Sequence, residues 1–229
     1  MGISEIDLKF IASMGEWPKR VCDLGDQDLL CYSEADFDSL GVNSPRRGKA
    51  REFWRAVGAD CMTLDVVGET TRFDLNTDKV PPEWGQFDLV TNAGDTEHVF
   101  NQVNCFTAIH DLTRVGGVMY HQLPVAGSTW HGLFVYSLKF FRLLAQANHY
   151  DILQARVDFR PGTAEQGPPS KDDSLDALHA QLGLNDASLR VLMRRTRKDG
   201  FAFPLDIPQT PSRLRVWASK VKHAILDQS

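Results

Sequence analysis

Short apolar runs alternate along the chain with segments whose apolar residues recur at helical spacing. The runs at residues 20–24, 61–66 and 87–90 are typical of buried strands, and each stops at glycine or at polar residues. Further strands are predicted at 71–73, 118–121, 150–157 and 188–196, and helices at 49–57, after Asp95, and from Phe134 to Ala145. Strands that alternate with helices predict a doubly wound α/β fold with a mostly parallel sheet covered on both faces.

The length of 229 residues suits one domain with a substantial core. Residues 1–18 hold an amphipathic pattern that predicts an N-terminal helix, which we interpret as a lid. Residues 19–229 are assigned to a single domain. Within it, residues 29–48 separate the first strand from its helix and are interpreted as an insertion. Residues 160–173 are rich in proline, glycine and charge, and are predicted to form a mobile surface loop.

Composition narrows the possible functions. The net charge is −5, which argues against a general nucleic-acid binder. The four cysteines include no CxxC pair, so neither disulfides nor a zinc site is indicated. No apolar run reaches the roughly 20 residues of a membrane span, and the N-terminus lacks the continuous apolar region of a signal peptide. We therefore expect a cytoplasmic protein with no nucleic-acid or membrane partner, while the oligomeric state stays open.

The strand at 87–90 leads directly into the polar segment that is richest in candidate chemistry. This segment brings together five side chains that can donate or accept protons or hydrogen bonds, namely Asn92, Asp95, Glu97, His98 and Asn101. In open α/β sheets, ligands bind outside the carboxyl ends of the strands. We therefore predict a site here, and we expect Asp95 or Thr96 to cap the helix that follows.

Three other predicted strands also end in residues suited to a ligand. Gly25 follows Asp23 at the end of the first strand and allows close approach of the backbone. Asp65 ends the second strand, where an acid can accept two hydrogen bonds from a ribose diol. Asp74 follows the third strand and is placed to face an adenine edge. Together these ends predict a nucleotide-containing ligand.

The order of these features resembles the class I S-adenosylmethionine (SAM)-dependent methyltransferases. The resemblance covers roughly residues 19–196 and rests on Asp23-Leu24-Gly25, Asp65, Asp74, the run at 87–90, and Gly116-Gly117. It implies seven strands with the last one antiparallel, SAM as cosubstrate, and a small-molecule substrate. The family's second motif glycine is replaced here, because Gly25 is followed by Asp26 and Gln27.

The resemblance also implies roles for individual residues. Asp65 would hold the ribose, Asp74 and Leu75 the adenine region, and Asn92 and Asp95 would lie near the sulfonium. Gly25 and Gln27 would serve the methionyl end of the cofactor, and Asp23 is a further cofactor-binding candidate.

For catalysis we select His98, Asn101, Asp95 and His121, with a histidine near the acceptor as general base because its pKa lies near working pH. His98, His121 and Glu97 are residue types that bind divalent ions, but their spacing matches no metal motif, so no metal is expected. Two alternatives to methyl transfer stay open. One is an enzyme that closes the aminobutyryl chain of SAM into a ring, as azetidine-2-carboxylate synthases do. The other is a non-catalytic binding scaffold.

Overall fold

The structure is a computed structural model that describes residues 2–68, 70–126, 131–159 and 187–206. The predicted loop at 160–173 lies outside these residues. The strands of the described chain are β1 (Gly2–Ser4), β2 (Arg20–Leu24), β3 (Asp28–Leu30), β4 (Arg47–Lys49), β5 (Asp60–Asp65), β6 (Thr71–Arg72), β7 (Phe87–Ala93), β8 (Thr113–Ala126), β9 (Tyr150–Phe159) and β10 (Ala187–Arg195). The α-helices are α1 (Glu5–Ala12), α2 (Glu34–Asp38), α3 (Ala50–Ala56), α4 (Gln102–Leu112) and α5 (Leu138–Asn148).

Seven strands form the main sheet in the order β6-β5-β2-β7-β8-β10-β9. All neighbouring pairs are parallel except those of β10, which runs antiparallel to both β8 and β9. The predicted α/β fold with seven strands and an antiparallel last strand is therefore confirmed. From β2 the chain moves outward to β5 and β6 and then returns to β7 on the other side of β2. The strand order thus reverses between β2 and β7, which defines the switch point where such sheets bind ligands.

Helices and loops cover both faces of this sheet. On one face, Leu8, Trp54 and Tyr120 are among the buried residues of a continuous apolar cluster. On the other face, α4 and α5 contribute Phe106 and Phe141 to a second cluster. Neighbouring residues of one strand enter different clusters because side chains alternate across a sheet, so that both faces are buried.

The N-terminal segment and the predicted insertion form one unit. β1 pairs in parallel with β3, and β3 pairs antiparallel with β4, which makes a separate three-stranded sheet. At the start of α1, the Ser4 backbone N–H and the Asp7 N–H are both satisfied by side chains in a capping box.

A buried network fixes this unit to the main sheet. Asp7 Oδ1 accepts from Arg190 Nε at 2.6 Å and from the Tyr120 hydroxyl at 2.5 Å. All three side chains are buried. The predicted N-terminal helix is thus present and packed on the sheet, and its movement as a lid stays a prediction.

The chain leaves β7 differently from the prediction. A single 3-10 turn (Thr96–His98) follows the strand, and α4 begins only at Gln102. The expectation that Asp95 or Thr96 caps this helix is wrong. The N-cap is Asn101, whose side-chain oxygen accepts from Asn104 N at 3.1 Å. Thr96 N–H instead donates to Asn92 Oδ1 at 3.2 Å, which ties the turn back to the strand end.

Candidate functional site

The switch point between β2 and β7 brings together Gly25, Gln27 and Asp95. Gly25 has φ 74°, a left-handed conformation that favours glycine. A Cβ at this position would overlap Asp95 Oδ1 and would lie 2.8 Å from Gln27 Nε2. The Gln27 amide donates to Asp95 Oδ2 at 2.7 Å and to the Leu24 carbonyl at 2.9 Å. Three residues that the sequence assigned to one site are therefore in contact, and Gly25 makes that contact possible.

Asp65 lies at the end of β5, at the same edge of the sheet. Its carboxylate accepts from Asp26 N at 3.0 Å and from Val67 N at 3.2 Å. The side chain thus links the turn after β2 to the turn after β5. A carboxylate offers about four acceptor positions. Asp65 is half-buried, so the other two acceptor positions of its carboxylate stay available to a ligand.

Asp74 and Leu75 form the turn that follows β6. Asp74 Oδ1 accepts from Asn76 N at 2.8 Å and from Asn76 Nδ2 at 3.1 Å. Leu75 is buried, and its carbonyl accepts from Asn104 Nδ2 at 2.9 Å. The turn is therefore fixed to α4.

Asp23 does not present its carboxylate to this edge. The side chain is fully buried and accepts from Trp54 Nε1 at 2.9 Å and from the Thr91 hydroxyl at 2.5 Å. Burial raises the pKa of Asp23 to about 6, although these hydrogen bonds lower it in part. Direct contact with a cofactor, which the sequence predicted, does not fit this geometry. The residue instead holds β2, β7 and α3 together behind Gly25.

Asn92 and His121 are neighbours in the β7–β8 register and hydrogen-bond each other. Asn92 Nδ2 lies 3.2 Å from His121 Nδ1 and 2.9 Å from the Thr96 hydroxyl. Because Asn92 Oδ1 accepts from Thr96 N, its amide group donates to the imidazole, and His121 Nε2 then carries the proton. Burial lowers the pKa of His121 to about 3. His121 is therefore a neutral hydrogen-bond donor, which disagrees with its selection as a possible general base.

Asn101 and His98, both selected as catalytic, are placed differently from each other. Besides capping α4, Asn101 donates through Nδ2 to the Asn76 carbonyl at 2.8 Å. Its side chain therefore serves the local fold, and the geometry does not support a catalytic role. His98 is exposed, and its ring lies 5.1 Å from that of His131. Partial burial, and then the nearby His131, lower the pKa of His98.

Unsatisfied polar atoms and carboxyl groups concentrate at this edge. Within the described residues, three buried side-chain atoms have no hydrogen-bond partner: Gln27 Oε1, Glu97 Oε2 and His121 Nε2. Burial raises the pKa of Asp95 well above its usual range, and Glu97, Asp23 and Asp65 raise it further. Burial also raises the pKa of Glu97 to about 7. Crowded carboxylates and buried acceptors without donors favour a ligand that carries positive charge.

The structure also forms a cluster that the sequence did not predict. Glu97, His98 and His131 each place one potential ligand atom within 4.8 Å of the others. The sequence paired Glu97 and His98 with His121 instead. His131 lies 33 residues after His98 in sequence, so no local spacing pointed to it.

Comparison with known proteins supports the fold. Neither protein-family models nor curated proteins gave a match. Among solved structures, a candidate methyltransferase from Bacillus halodurans has a TM-score of 0.56 at 8% identity, covering 84% of this chain and 99% of that one. The YcgJ protein from Bacillus subtilis has a TM-score of 0.55 at 11% identity, covering 85% of this chain and 99% of that one.

A third solved structure was determined with SAM. Phosphoethanolamine N-methyltransferase 2 from Haemonchus contortus, in complex with SAM, has a TM-score of 0.50 at 11% identity, with coverage of 83% of this chain and 52% of that one. Together with the strand order, these similarities show that the protein has the Rossmann-like fold of class I SAM-dependent methyltransferases. Within the described residues, no helix is long and apolar enough to cross a membrane.

Proposed function

We propose that the protein binds SAM and catalyses methyl transfer from it to a small molecule. The observation that carries this proposal is the contact of Gly25, Gln27 and Asp95 at the switch point of the sheet. The absence of a Cβ at Gly25 lets the Asp95 and Gln27 side chains meet at this edge. Gln27 adds a buried acceptor, Oε1, that has no partner among the described residues.

The charge at this edge fits SAM in particular. SAM carries a sulfonium, an ammonium and a carboxylate, and therefore has a net positive charge. The nearby carboxylates of Glu97, Asp23 and Asp65 add to the effect of burial in raising the pKa of Asp95, because each disfavours its ionisation. A cation placed among them would favour the ionised carboxylates. We assign Asp95 to the sulfonium region, and Gln27 Oε1 to the ammonium of the methionyl end.

The nucleoside half would lie along the ends of β5 and β6. Asp65 retains acceptor positions for the ribose hydroxyls, each such hydrogen bond to a charged group contributing about 1.5–3 kcal/mol. Asp74 and Leu75 would flank the adenine, with Leu75 as part of the apolar wall. These assignments follow the order in which the strand ends occur in the sheet.

The chain's contribution to the reaction is positional. SAM would supply a methyl group: the lone pair of an acceptor would bond to the methyl carbon in line as the carbon–sulfur bond breaks, with S-adenosylhomocysteine as the leaving group. Asn92 orients His121 through the hydrogen bond between them, and the imidazole directs its Nε2 proton as a fixed donor. Holding both reactants in line and excluding water can lower the barrier by several kcal/mol.

Ring closure of SAM is the second candidate. The buried Gln27 Oε1 favours this reaction, because an acceptor there can hold the amine of SAM in one orientation. In that reaction the amine is the nucleophile, so no separate acceptor is needed, and methylthioadenosine is released.

Calorimetry with purified protein tests SAM binding, and mass spectrometry distinguishes the reactions. The variant Asp65→Ala should bind SAM at least about tenfold more weakly, while Asp60→Ala, at an exposed acid at the other end of β5, should not change. Methylthioadenosine formed from SAM alone would support ring closure. S-adenosylhomocysteine formed only with an added acceptor would support methyl transfer. If SAM does not bind, the proposed function is wrong and the non-catalytic scaffold is favoured.

A further inference from the structure

Glu97, His98 and His131 come from two separate segments of the chain. Glu97 and His98 lie in the 3-10 turn after β7, and His131 lies before α5. Glu97 Oε1 is 3.8 Å from His131 Nε2, and one ligand atom of each residue lies within 4.8 Å of the other two. The cluster therefore depends on the tertiary fold and on how closely these segments approach.

Backbone contacts fix that approach. The Glu97 carbonyl accepts from Leu133 N at 2.7 Å and from Phe134 N at 3.2 Å. Between His131 and Leu133, a Cβ on Gly132 would lie 2.9 Å from Glu97 Cγ and 3.0 Å from the Glu97 carbonyl oxygen. A glycine at this position therefore lets the His131 segment lie directly against Glu97.

Glu97 provides an independent indication of a ligand. Its side chain is 1% exposed, and its Oε2 atom has no hydrogen-bond partner in the described structure. Burying a carboxylate is costly unless a cation or several hydrogen bonds compensate. A bound cation would satisfy the carboxylate at neutral pH.

We propose that Glu97, His98 and His131 bind a divalent transition-metal ion. Two imidazoles and one carboxylate suit Zn²⁺, Fe²⁺ or Mn²⁺, whereas Mg²⁺ and Ca²⁺ prefer oxygen ligands. Ligand atoms around tetrahedral zinc are about 3.3 Å apart. The present separations, all within 4.8 Å, are therefore within about 1.5 Å of the spacing that a bound ion requires.

The exposure of the cluster indicates what the ion can do. His98 is exposed and His131 is about one third exposed, so the ion would keep coordination positions open to solvent. His98 becomes a metal ligand in this assignment, in place of the general-base role predicted from the sequence. An open position at this edge would bind an oxygen or nitrogen atom of the acceptor. That last role rests on the proposed function, whereas metal binding itself does not.

Metal binding is tested with full-length protein stripped by a chelator and titrated with Zn²⁺ in the absence of SAM. Co²⁺ serves as a spectroscopic probe of the coordination sphere. The wild type should bind one equivalent. Glu97→Gln, His98→Ala and His131→Ala should each weaken Zn²⁺ binding at least about tenfold, and each should alter the Co²⁺ spectrum.

Two further variants make the test specific. His149→Asn removes an exposed histidine outside the cluster and should bind Zn²⁺ like the wild type. Gly132→Ala keeps all three ligands and should weaken Zn²⁺ binding by separating the two segments. Wild-type Zn²⁺ affinity in both His98→Ala and His131→Ala would overturn the proposal, as would the absence of a bound equivalent in the wild type. Because SAM binding is measured separately on the stripped protein, failure of one proposal leaves the other intact.

Discussion

Gln27 and Asp95 are hydrogen-bonded across the switch point, with Nε2 and Oδ2 2.7 Å apart, and Gly25 lies against both side chains. Gly25→Ala should therefore displace Asp95 and weaken SAM binding at least about tenfold. Gly58→Ala is a matched control, because Gly58 also has a positive φ (84°) but has open space around it. Both variants should lose about 1–2 kcal/mol of stability from backbone strain.

Calorimetry with SAM, combined with thermal unfolding of both variants, checks this prediction. If Gly25→Ala and Gly58→Ala bind SAM equally well, the ligand does not use this contact.

The helix cap leads to a different prediction. Asn101→Ala should lower the free energy of unfolding by about 1 kcal/mol, because α4 loses its N-cap. SAM turnover per folded molecule should stay unchanged, since the side chain serves α4 and Asn76. Asn101→Ser, which keeps a capping oxygen, should recover most of the stability. Denaturant unfolding and a SAM-consumption assay separate the two effects, and a turnover defect at unchanged stability would restore the catalytic role predicted from the sequence.

The raised pKa of Asp23 predicts that the free energy of unfolding depends on pH. Its pKa is about 6 in the folded protein, against 3.8 for the unperturbed group. The folded state therefore holds this proton more tightly. Protonation of Asp23 therefore stabilises the folded state. This contribution to the free energy of unfolding is fully present below about pH 4 and is lost as the pH rises through 6.

The isosteric variant Asp23→Asn removes this titration. The difference in unfolding free energy between wild type and variant should change between pH 4 and 7, by up to about 3 kcal/mol in favour of the wild type at the acid end. Asp60→Asn, at an exposed acid on β5, should show no comparable change. A pH-independent difference for Asp23→Asn would mean that Asp23 is ionised throughout this range.

The lid hypothesis concerns the unit formed by α1, β1, β3 and β4. If it closes over the ligand, amide hydrogen exchange in residues 3–48 should slow when SAM binds. Residues 138–148 of α5 pack on the opposite face of the sheet from α1 and should not respond. Equal exchange with and without SAM in residues 3–48 would show that this unit is a fixed part of the domain.

The sheet was predictable from the sequence because buried parallel strands are rich in apolar residues, and β2, β5 and β7 each contain an apolar pair: Val21-Cys22, Cys61-Met62 and Leu89-Val90. The small sheet was missed, since three-residue strands such as β1 and β4 are too short to show a period. The helix cap was placed wrongly because Asp95, Thr96 and Asn101 are all good capping residues. Only the 3-10 turn decides among them.

The candidate site was predictable only in part, for related reasons. Gly25, Gln27 and Asp95 lie at the ends of predicted strands, so the order of strands already placed them together. The orientation of a side chain such as Asp23 depends on a partner in α3, which the local pattern does not reveal. The approach of His131 to Glu97 is a long-range contact made by a loop, and loops carry the weakest periodic signal.

The buried pair of Asp7 and Arg190 has a consequence for how the protein is made. The two residues are 183 positions apart, so α1 is synthesised long before its partner on β10 exists. At about 5–20 residues per second, translation leaves Asp7 without its counterion for about 10–40 s. During that interval the apolar side of α1 has no completed sheet to pack on. A nascent chain that stalls before β10 therefore exposes this helix to chaperones and proteases, and the N-terminal end of the chain is among the last parts to become native.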